Sequence, residues 1–200
     1  MTAAMAENDR TPSRSQWDDL LTAWRELDVP EGWRAEIDEG QVRMVPPPHP
    51  HHNGIAAKVQ RALYRSLPEE LEIFQTLGIH IARLDKLYMP DLVVMPTAVI
   101  EAADPHTNDP VDAAEALLVV EITSKSNAKD DRTKKLWAYA HAPVPTYLLI
   151  DRFDEHGPTS TLFTDPVDGV YNRTVRTPFG AEIKLPEMFG KPLDTSVFPH

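Results

Sequence analysis

Apolar residues recur along this chain with two different periods, and each period predicts a kind of element. From Ser15 to Leu27, the residues Trp17, Leu20, Leu21, Trp24 and Leu27 fall three and four positions apart. Such spacing draws a stripe down one side of an α-helix, and Ser15 is a suitable cap for its start. That helix should pack onto a core. From Trp33 to Val45 the period drops to two, with Ala35, Ile37, Val42 and Met44 alternating with polar residues around Asp38-Glu39-Gly40. Alternation on either side of a turn sequence predicts a β-hairpin. Pro46-Pro47-Pro48 ends it. Helical spacing then returns from His51 to Leu67 through Ile55, Val59, Ala62 and Leu63, until Pro68, which cannot donate a helical hydrogen bond, stops it.

Leu71 to Leu84 and Leu87 to Met95 supply strands, the second entering through Pro90 and bounded by Pro96. Val99 to Glu115 is an acidic, proline-containing connection. Leu117 to Ile122 is a continuous apolar run of strand length broken only by Glu121, as expected of a strand covered on both faces. Lys129 to Ala140 is helical, with Asn127 and Asp130 spaced as a capping box at its start. Thr146 to Asp151 is a second buried strand. Strand, helix, strand in that order predicts a parallel pair joined by a right-handed crossover. Thr159 to Ile183 reads as further strands separated by Asp165-Pro166 and Asp168-Gly169.

A length of 200 residues with 42% hydrophobic content fits one compact domain. We expect it to span residues 15–200, behind a polar, flexible tail at 1–14. The absence of cysteine excludes disulfides, thiol catalysis and cysteine-held metals, and fits a reducing cytoplasm. No apolar stretch approaches the roughly 18 residues of a membrane span, and the first residues lack the pattern of a signal peptide. A cytoplasmic protein without a membrane partner is the expectation. The net charge of −11 argues against a general nucleic-acid binder. Its distribution weakens that objection. Residues 1–40 carry ten acids against four bases, and 99–115 carry five acids and no base, so these two segments hold the whole excess. The balanced remainder clusters Lys125, Lys129, Arg132, Lys134 and Lys135, leaving room for a local basic face.

Glu121 is the residue that most directly suggests chemistry. An acid inside Leu-Leu-Val-Val-Glu-Ile is costly to bury without a partner or a metal. Asp91, 30 positions earlier and at the head of another strand, can join it where adjacent strands bring them together. Paired carboxylates suit a hard cation such as Mg²⁺, which keeps a few protein ligands while water and phosphate fill the rest. Asp131, Lys135 and Tyr139 recur at intervals of four and share a helix face that can overlie the strand ends. The plainer readings are a turn acid for Asp91, a salt bridge for Glu121 and a surface ion pair for Asp131 with Lys135. Ser124 and Ser126 read as loop organisers. His49, His51 and His52 have no established ligand spacing and read as a loop leading into a helix, although His52 is placed to approach a substrate. Walker and Rossmann glycine patterns are absent.

Taken in order, several segments resemble the Uma-two family of restriction-endonuclease-like proteins, within the PD-(D/E)xK nuclease superfamily. They are Pro90-Asp91-Leu-Val-Val, Val119-Val120-Glu121-Ile122-Thr123-Ser124-Lys125-Ser126, Asp131-Arg-Thr-Lys-Lys135-Leu-Trp-Ala-Tyr139 and Val144-Pro145-Thr-Tyr147-Leu-Leu-Ile-Asp151. The resemblance extends back through Glu36 to His52 and covers roughly residues 30 to 190. It implies an α/β fold, a restriction-endonuclease-like mixed central β-sheet flanked by helices, here with an N-terminal helix and hairpin. It also implies hydrolysis of DNA phosphodiester bonds with Mg²⁺ or Mn²⁺. Asp91 and Glu121 become metal ligands, and Glu36 an assisting acid. The superfamily's usual lysine, two positions after the glutamate, is here Thr123. Lys135 fills the relocated position, and Lys125 is the competing candidate. Further substrate contacts fall to His52, Lys125, Asp131 and Tyr139. A homodimer is attractive because cutting both strands of a duplex uses two sites. The acidic balance and Thr123 keep an alternative open, a non-catalytic interaction protein that retains the fold.

Overall fold

The computed structural model describes residues 14–199. Residues 1–13, expected as a tail, lie outside them. In chain order the elements are helix α1 (Arg14–Glu26), β1 (Arg34–Asp38), β2 (Gln41–Val45), helix α2 (Pro50–Leu63), β3 (Leu71–Phe74), β4 (Ile79–Ile81), β5 (Lys86–Tyr88) and β6 (Leu92–Pro96). Then follow helix α3 (Thr97–Glu101), β7 (Val111–Asp112) and β8 (Leu118–Ile122). A helix in three parts comes next: α4 (Ala128–Asp130), a π-turn (Asp131–Lys135) and α5 (Leu136–His141). Strands β9 (Thr146–Asp151), β10 (Thr159–Val167), β11 (Val170–Pro178), β12 (Glu182–Ile183) and β13 (Leu193–Asp194) complete the chain.

Two mixed sheets make the frame, ordered β2-β1-β5-β4-β7 and β11-β10-β9-β8-β6-β3, with β12 and β13 as a separate pair. The pairing of β8 with β9 is parallel, as the strand, helix, strand order requires, and β6 runs antiparallel to β8. The hairpin forms as its alternation predicts. Glu39 and Gly40 both take positive φ, 51° and 71°, the two-residue turn whose twist matches that of its strands.

The six-stranded sheet is covered on both faces. Ile55, Val59 and Leu63 of α2 pack against Leu92, Val94, Leu118, Val120 and Ile150 on one side. On the other, Ala138 and Tyr139 of α5, with Ile79, Ile81 and Tyr88 of the five-stranded sheet, meet Val93, Met95, Val119 and Tyr147. This double burial explains the continuous apolar runs of β8 and β9, which have no solvent side to be polar. Helix α1 lies half-buried beside the hairpin, where the Trp24 indole N–H donates to the Ala35 carbonyl at 2.7 Å and Trp17 stacks on His80. Leu27 falls just past its end and stays exposed.

Four sequence expectations are corrected. The Leu87–Met95 segment is two strands in two sheets, β5 and β6, because Pro90 offers no amide to continue a ladder and restricts the residue before it. Leu71–Leu84 likewise divides between sheets as β3 and β4. Asp165-Pro166 does not end a strand. β10 runs through it, and its pairing with β9 already stops at Thr164, so the proline leaves no bond in that ladder unmade. The capping box also does not form: the Asn127 side chain reaches back instead, accepting from the Ser124 amide at 2.8 Å and the Ser124 hydroxyl at 2.6 Å.

Candidate active site

The site lies where the chain leaves one sheet for the other. Met89 to Asp91 is the short bridge from β5 to β6. The register that pairs Leu92 with Val120 continues to set Asp91 opposite Glu121. Opposed residues of an antiparallel pair share a face, so the two acids come together although 30 positions separate them in the chain. The Asp91 Oδ2 atom also accepts from the Ile122 amide at 2.8 Å, which pins it to the end of β8.

Strand β1 contributes from the other sheet. Period two puts Arg34, Glu36 and Asp38 on one face and Ala35 and Ile37 on the other. The apolar pair is buried in the interior. On the charged face, Arg34 Nη1 donates to Asp91 Oδ1 at 3.0 Å and to the Met89 carbonyl at 2.9 Å, while Glu36 Oε1 accepts from the Met89 amide at 3.1 Å. Glu36 is therefore a buried acid, not an exposed hairpin residue. Asp38 is held by Lys86, the Tyr88 hydroxyl and Lys134.

Lys135 joins the sheets. Its ammonium donates to Glu36 Oε1 at 3.0 Å and Glu121 Oε1 at 3.1 Å, lies 3.7 Å from Asp131 Oδ1, and sits over the Tyr88 ring. Tyr139 completes the cluster by donating its hydroxyl to Glu121 Oε1 at 2.6 Å. The π-turn helps this alignment. At 3.6 residues per turn a spacing of four overshoots a full turn by about 40°, and one wider turn offsets that drift between Asp131 and Tyr139.

The electrostatics follow from burial. Glu36, Asp91, Glu121 and Asp131 are all buried, against two permanent cations, Lys135 and Arg34. Burial raises the Glu121 carboxyl above its ordinary range; Lys135 opposes this, and the charges of Asp91 and Glu36 add to it. Asp131 is pushed well above its range, chiefly by burial. Among the described residues its two oxygens have no hydrogen-bond partner. Asp91 goes the other way: burial pulls it up, but the hydrogen bond and charge of His52, the charge of Arg34 and the Ile122 amide hold it below the usual range. Burial works against the Lys135 ammonium, yet its carboxylate partners hold its pKa well above the ordinary value.

The residues expected to meet a substrate divide into two groups. His52 lies 2.9 Å from Asp91 Oδ2 through Nε2 and lines two clefts beside it. Lys125 is exposed on the rim of the larger cleft and touches none of the buried acids. Asp131 and Tyr139, by contrast, are fully buried and, like Glu121, line none of the three clefts around the site; they contact Lys135 and Glu121 from the interior. His49 caps α2 with Nδ1 accepting from the His51 amide. Ser124 and Ser126 bond to each other within their loop. Thr123 ties strand ends together, donating to Asp151 Oδ1 and accepting from the Arg152 amide, and Asp151 in turn holds Arg132. The residues of this site that motif reading passed over are Arg34, Arg152 and Phe153, all of which line the cleft. For Arg34 the signal was present, since three charges at period two on an otherwise buried strand need partners.

The larger of the two clefts beside Asp91, about 460 Å³, is lined by cations and by no acid. Arg34, Lys125 and Arg152 border it, with Phe153, the Pro46-Pro47-Pro48 turn and the Ser124–Asn127 loop. On a chain of net charge −11 this concentration is selective. Lys125 and Arg152 form no ion pair among the described residues, whereas Arg43 and Lys134 nearby are paired with Asp38, Glu39 and Asp130.

The sequence model of a family described as "Uma2: Putative restriction endonuclease" matches residues 17–196. The chain belongs to the Uma2 family. A solved structure of similar fold is that of "a putative nuclease belonging to DUF820" from Anabaena variabilis ATCC 29413, with a TM-score of 0.70 and 18% identity over 90% of this chain and 96% of that one. At that identity the likeness speaks for the fold alone. No curated protein matches the sequence. Among the described residues of this Uma2 chain, no helix is long and apolar enough to cross a membrane.

The donor set fits a hard divalent cation. Carboxylate oxygens are what Mg²⁺ and Mn²⁺ prefer, and the excess of buried acid is a charge such an ion would offset. Among the described residues no three His, Asp or Glu side chains form a cage by themselves. Water and phosphate oxygens would complete the coordination.

Proposed function

We propose that this Uma2 chain is an endonuclease that hydrolyses DNA phosphodiester bonds with Mg²⁺ or Mn²⁺, Asp91 and Glu121 serving as the metal ligands. One observation carries the reading: a buried, acid-rich cluster borders a cleft lined by cations and free of acids. Such a pairing suits a cation on the protein side and a polyanion on the other. When bound, the ion supplies charge neutralisation at the phosphate and a lower pKa for the attacking water.

The chain's own residues do the rest. Arg34 and His52 fix both oxygens of Asp91, and Tyr139 fixes Glu121, so neither acid has to reorganise. Lys135 holds a proton firmly and offers a fixed positive charge beside the acids to stabilise charge developing on the phosphate. Glu36 shares that ammonium and sets its position. Lys125 and Arg152 hold the backbone of the substrate in the cleft.

The test is cleavage of plasmid and of single-stranded circular DNA by purified protein with Mg²⁺, Mn²⁺ or a chelator. Wild type nicks only with metal, and Asp91→Asn and Glu121→Gln, checked for folding by circular dichroism, fall to background. Equal rates for wild type and Asp91→Asn sink the reading. The full use of the Lys135 ammonium by Glu36 and Glu121 supports a second reading, a non-catalytic interaction protein with the nuclease fold. Absence of a Glu121-dependent heat on titration with Mn²⁺ would favour it.

A further inference from the structure

We infer that the strand engaged by this site is single-stranded DNA, with unpaired bases seated on Phe153 on one side of Asp91 and on Trp33 on the other. This rests on the nuclease reading and names its substrate class. Two clefts meet at a wall formed by Arg34, His52 and Pro48, which line both. The 460 Å³ cleft holds Phe153, with the Arg152 guanidinium 5.4 Å from its ring centre. A second cleft of about 340 Å³ holds Trp33, Asn53, Gln75, Thr76 and Asp91. Both volumes suit one small group of nucleotide size.

Each cleft thus offers an aromatic face and polar groups, and two residues of the wall between them, Arg34 and His52, hold Asp91, which lines the second cleft. Trp33 is 40% exposed although it is a large aromatic beside a buried cluster. His52 is almost wholly buried, yet its Nδ1 has no partner, and neither does Arg34 Nε. Thr76 adds a strained backbone at the same rim, with φ at 57°, a region unfavourable for a β-branched residue.

The charge pattern argues against a broad duplex footprint. A duplex hides its base faces and is held by many phosphate contacts across a wide surface. Here the cations flanking the clefts are already spent: Arg43 and Lys134 on Asp38, Glu39 and Asp130, Arg132 on Asp151, and Arg176 on Asp154. Among the described residues, Lys125 and Arg152 remain unpaired at the cleft, with Lys129 exposed on the helix that follows. Few phosphate contacts combined with stacking on aromatic rings is how single strands are bound.

Fluorescence anisotropy of the full chain in chelator, where no cleavage occurs, tests this with labelled oligonucleotides of about 12 nucleotides as single-stranded DNA, the same sequence as duplex, and RNA. Single-stranded DNA should bind about tenfold or more tighter than duplex. Trp33→Ala and Phe153→Ala should each weaken it by about 5-fold to 100-fold, the effect of losing one stacked base. Thermal melting of each variant checks folding, and Trp33→Phe and Phe153→Tyr, which keep a ring, should retain most of the affinity. Lys125→Ala should reduce the slope of log affinity against log salt by about 0.7. Duplex binding as tight as single-strand binding, tighter binding of RNA, or unchanged affinity in the two alanine variants overturns the inference. Metal-dependent nicking with equal duplex and single-strand affinity overturns it while leaving the nuclease reading intact. Single-strand binding without metal-dependent cleavage supports the binding track and overturns the nuclease reading.

Discussion

Replacing Lys135 by methionine keeps most of the side-chain volume and removes the charge that joins the two sheets. In wild type the ammonium lies 3.0 Å from Glu36, 3.1 Å from Glu121 and 3.7 Å from Asp131. At an effective dielectric constant of about 20, each contact with an ionised carboxylate is worth about 5 kcal/mol before desolvation. Much of that gross attraction is offset by the cost of taking the charges out of water. Removing one partner of a buried pair nonetheless leaves the others uncompensated, at a net cost of about 3–5 kcal/mol. For a domain of this size the melting temperature should fall by about 6–20 °C. The deficit should depend on pH with a definite sign. Glu121 already titrates above its ordinary range, and without Lys135 it rises further, so the folded variant binds protons that its unfolded chain releases. Its stability is then lost as pH rises and regained as pH falls through the raised folded-state value. Calorimetric melting of both proteins across about pH 5 to 8 measures this, and adding Glu121→Gln to Lys135→Met should restore part of the loss. A variant as stable as wild type near neutrality, or a deficit that widens toward acid, refutes the reasoning.

Other consequences can be measured separately. Asp131→Asn should raise the melting temperature near pH 8 and lose that gain toward pH 4, because a carboxyl with a raised folded-state pKa costs stability once the unfolded chain would ionise it; a drop at pH 8 would show that its contact with Lys135 dominates. Thr123→Val removes a donor to Asp151 and an acceptor for the Arg152 amide, and denaturant unfolding should show a loss of about 1–3 kcal/mol. Gly169→Ala would set a Cβ 2.0 Å from the His141 ring at a backbone φ of 79°, so urea unfolding should report a loss of more than about 1 kcal/mol. In DNA cleavage assays, Lys135→Met should abolish activity while Lys125→Ala weakens it most at low salt, where its charge is least screened, and the reverse ranking would identify Lys125 as the assisting lysine.

Much of the frame was legible because it depends on local chemistry. The hairpin at Asp38-Glu39-Gly40, the helix from His51 and the buried strands around Val120 and Leu148 follow from periodicity and turn residues. Glu121 announced itself as an acid in an apolar run, since an unpaired buried charge is costly. Errors arose where one residue's backbone chemistry was overridden. Asn127 had the sequence of a cap, but its carbonyl found a nearer donor in Ser124. Pro166 looked like a breaker, but the adjacent strand had already ended.

The sequence by itself determined the elements, the two covered faces of the central strands and an ordered set of acids with a lysine. Those properties reside in spacing, which a chain carries before it folds. Tertiary structure alone decided that Asp91 stands opposite Glu121, that Lys135 and not Lys125 touches the acids, and that Asp131 and Tyr139 contact Lys135 and Glu121 from the interior. It also decided that Arg34 braces Asp91 from 57 positions away, and that Arg152 and Phe153 face the same cleft. Each of these depends on strand register and on the seam between two sheets, and a long-range pairing leaves no mark in local periodicity.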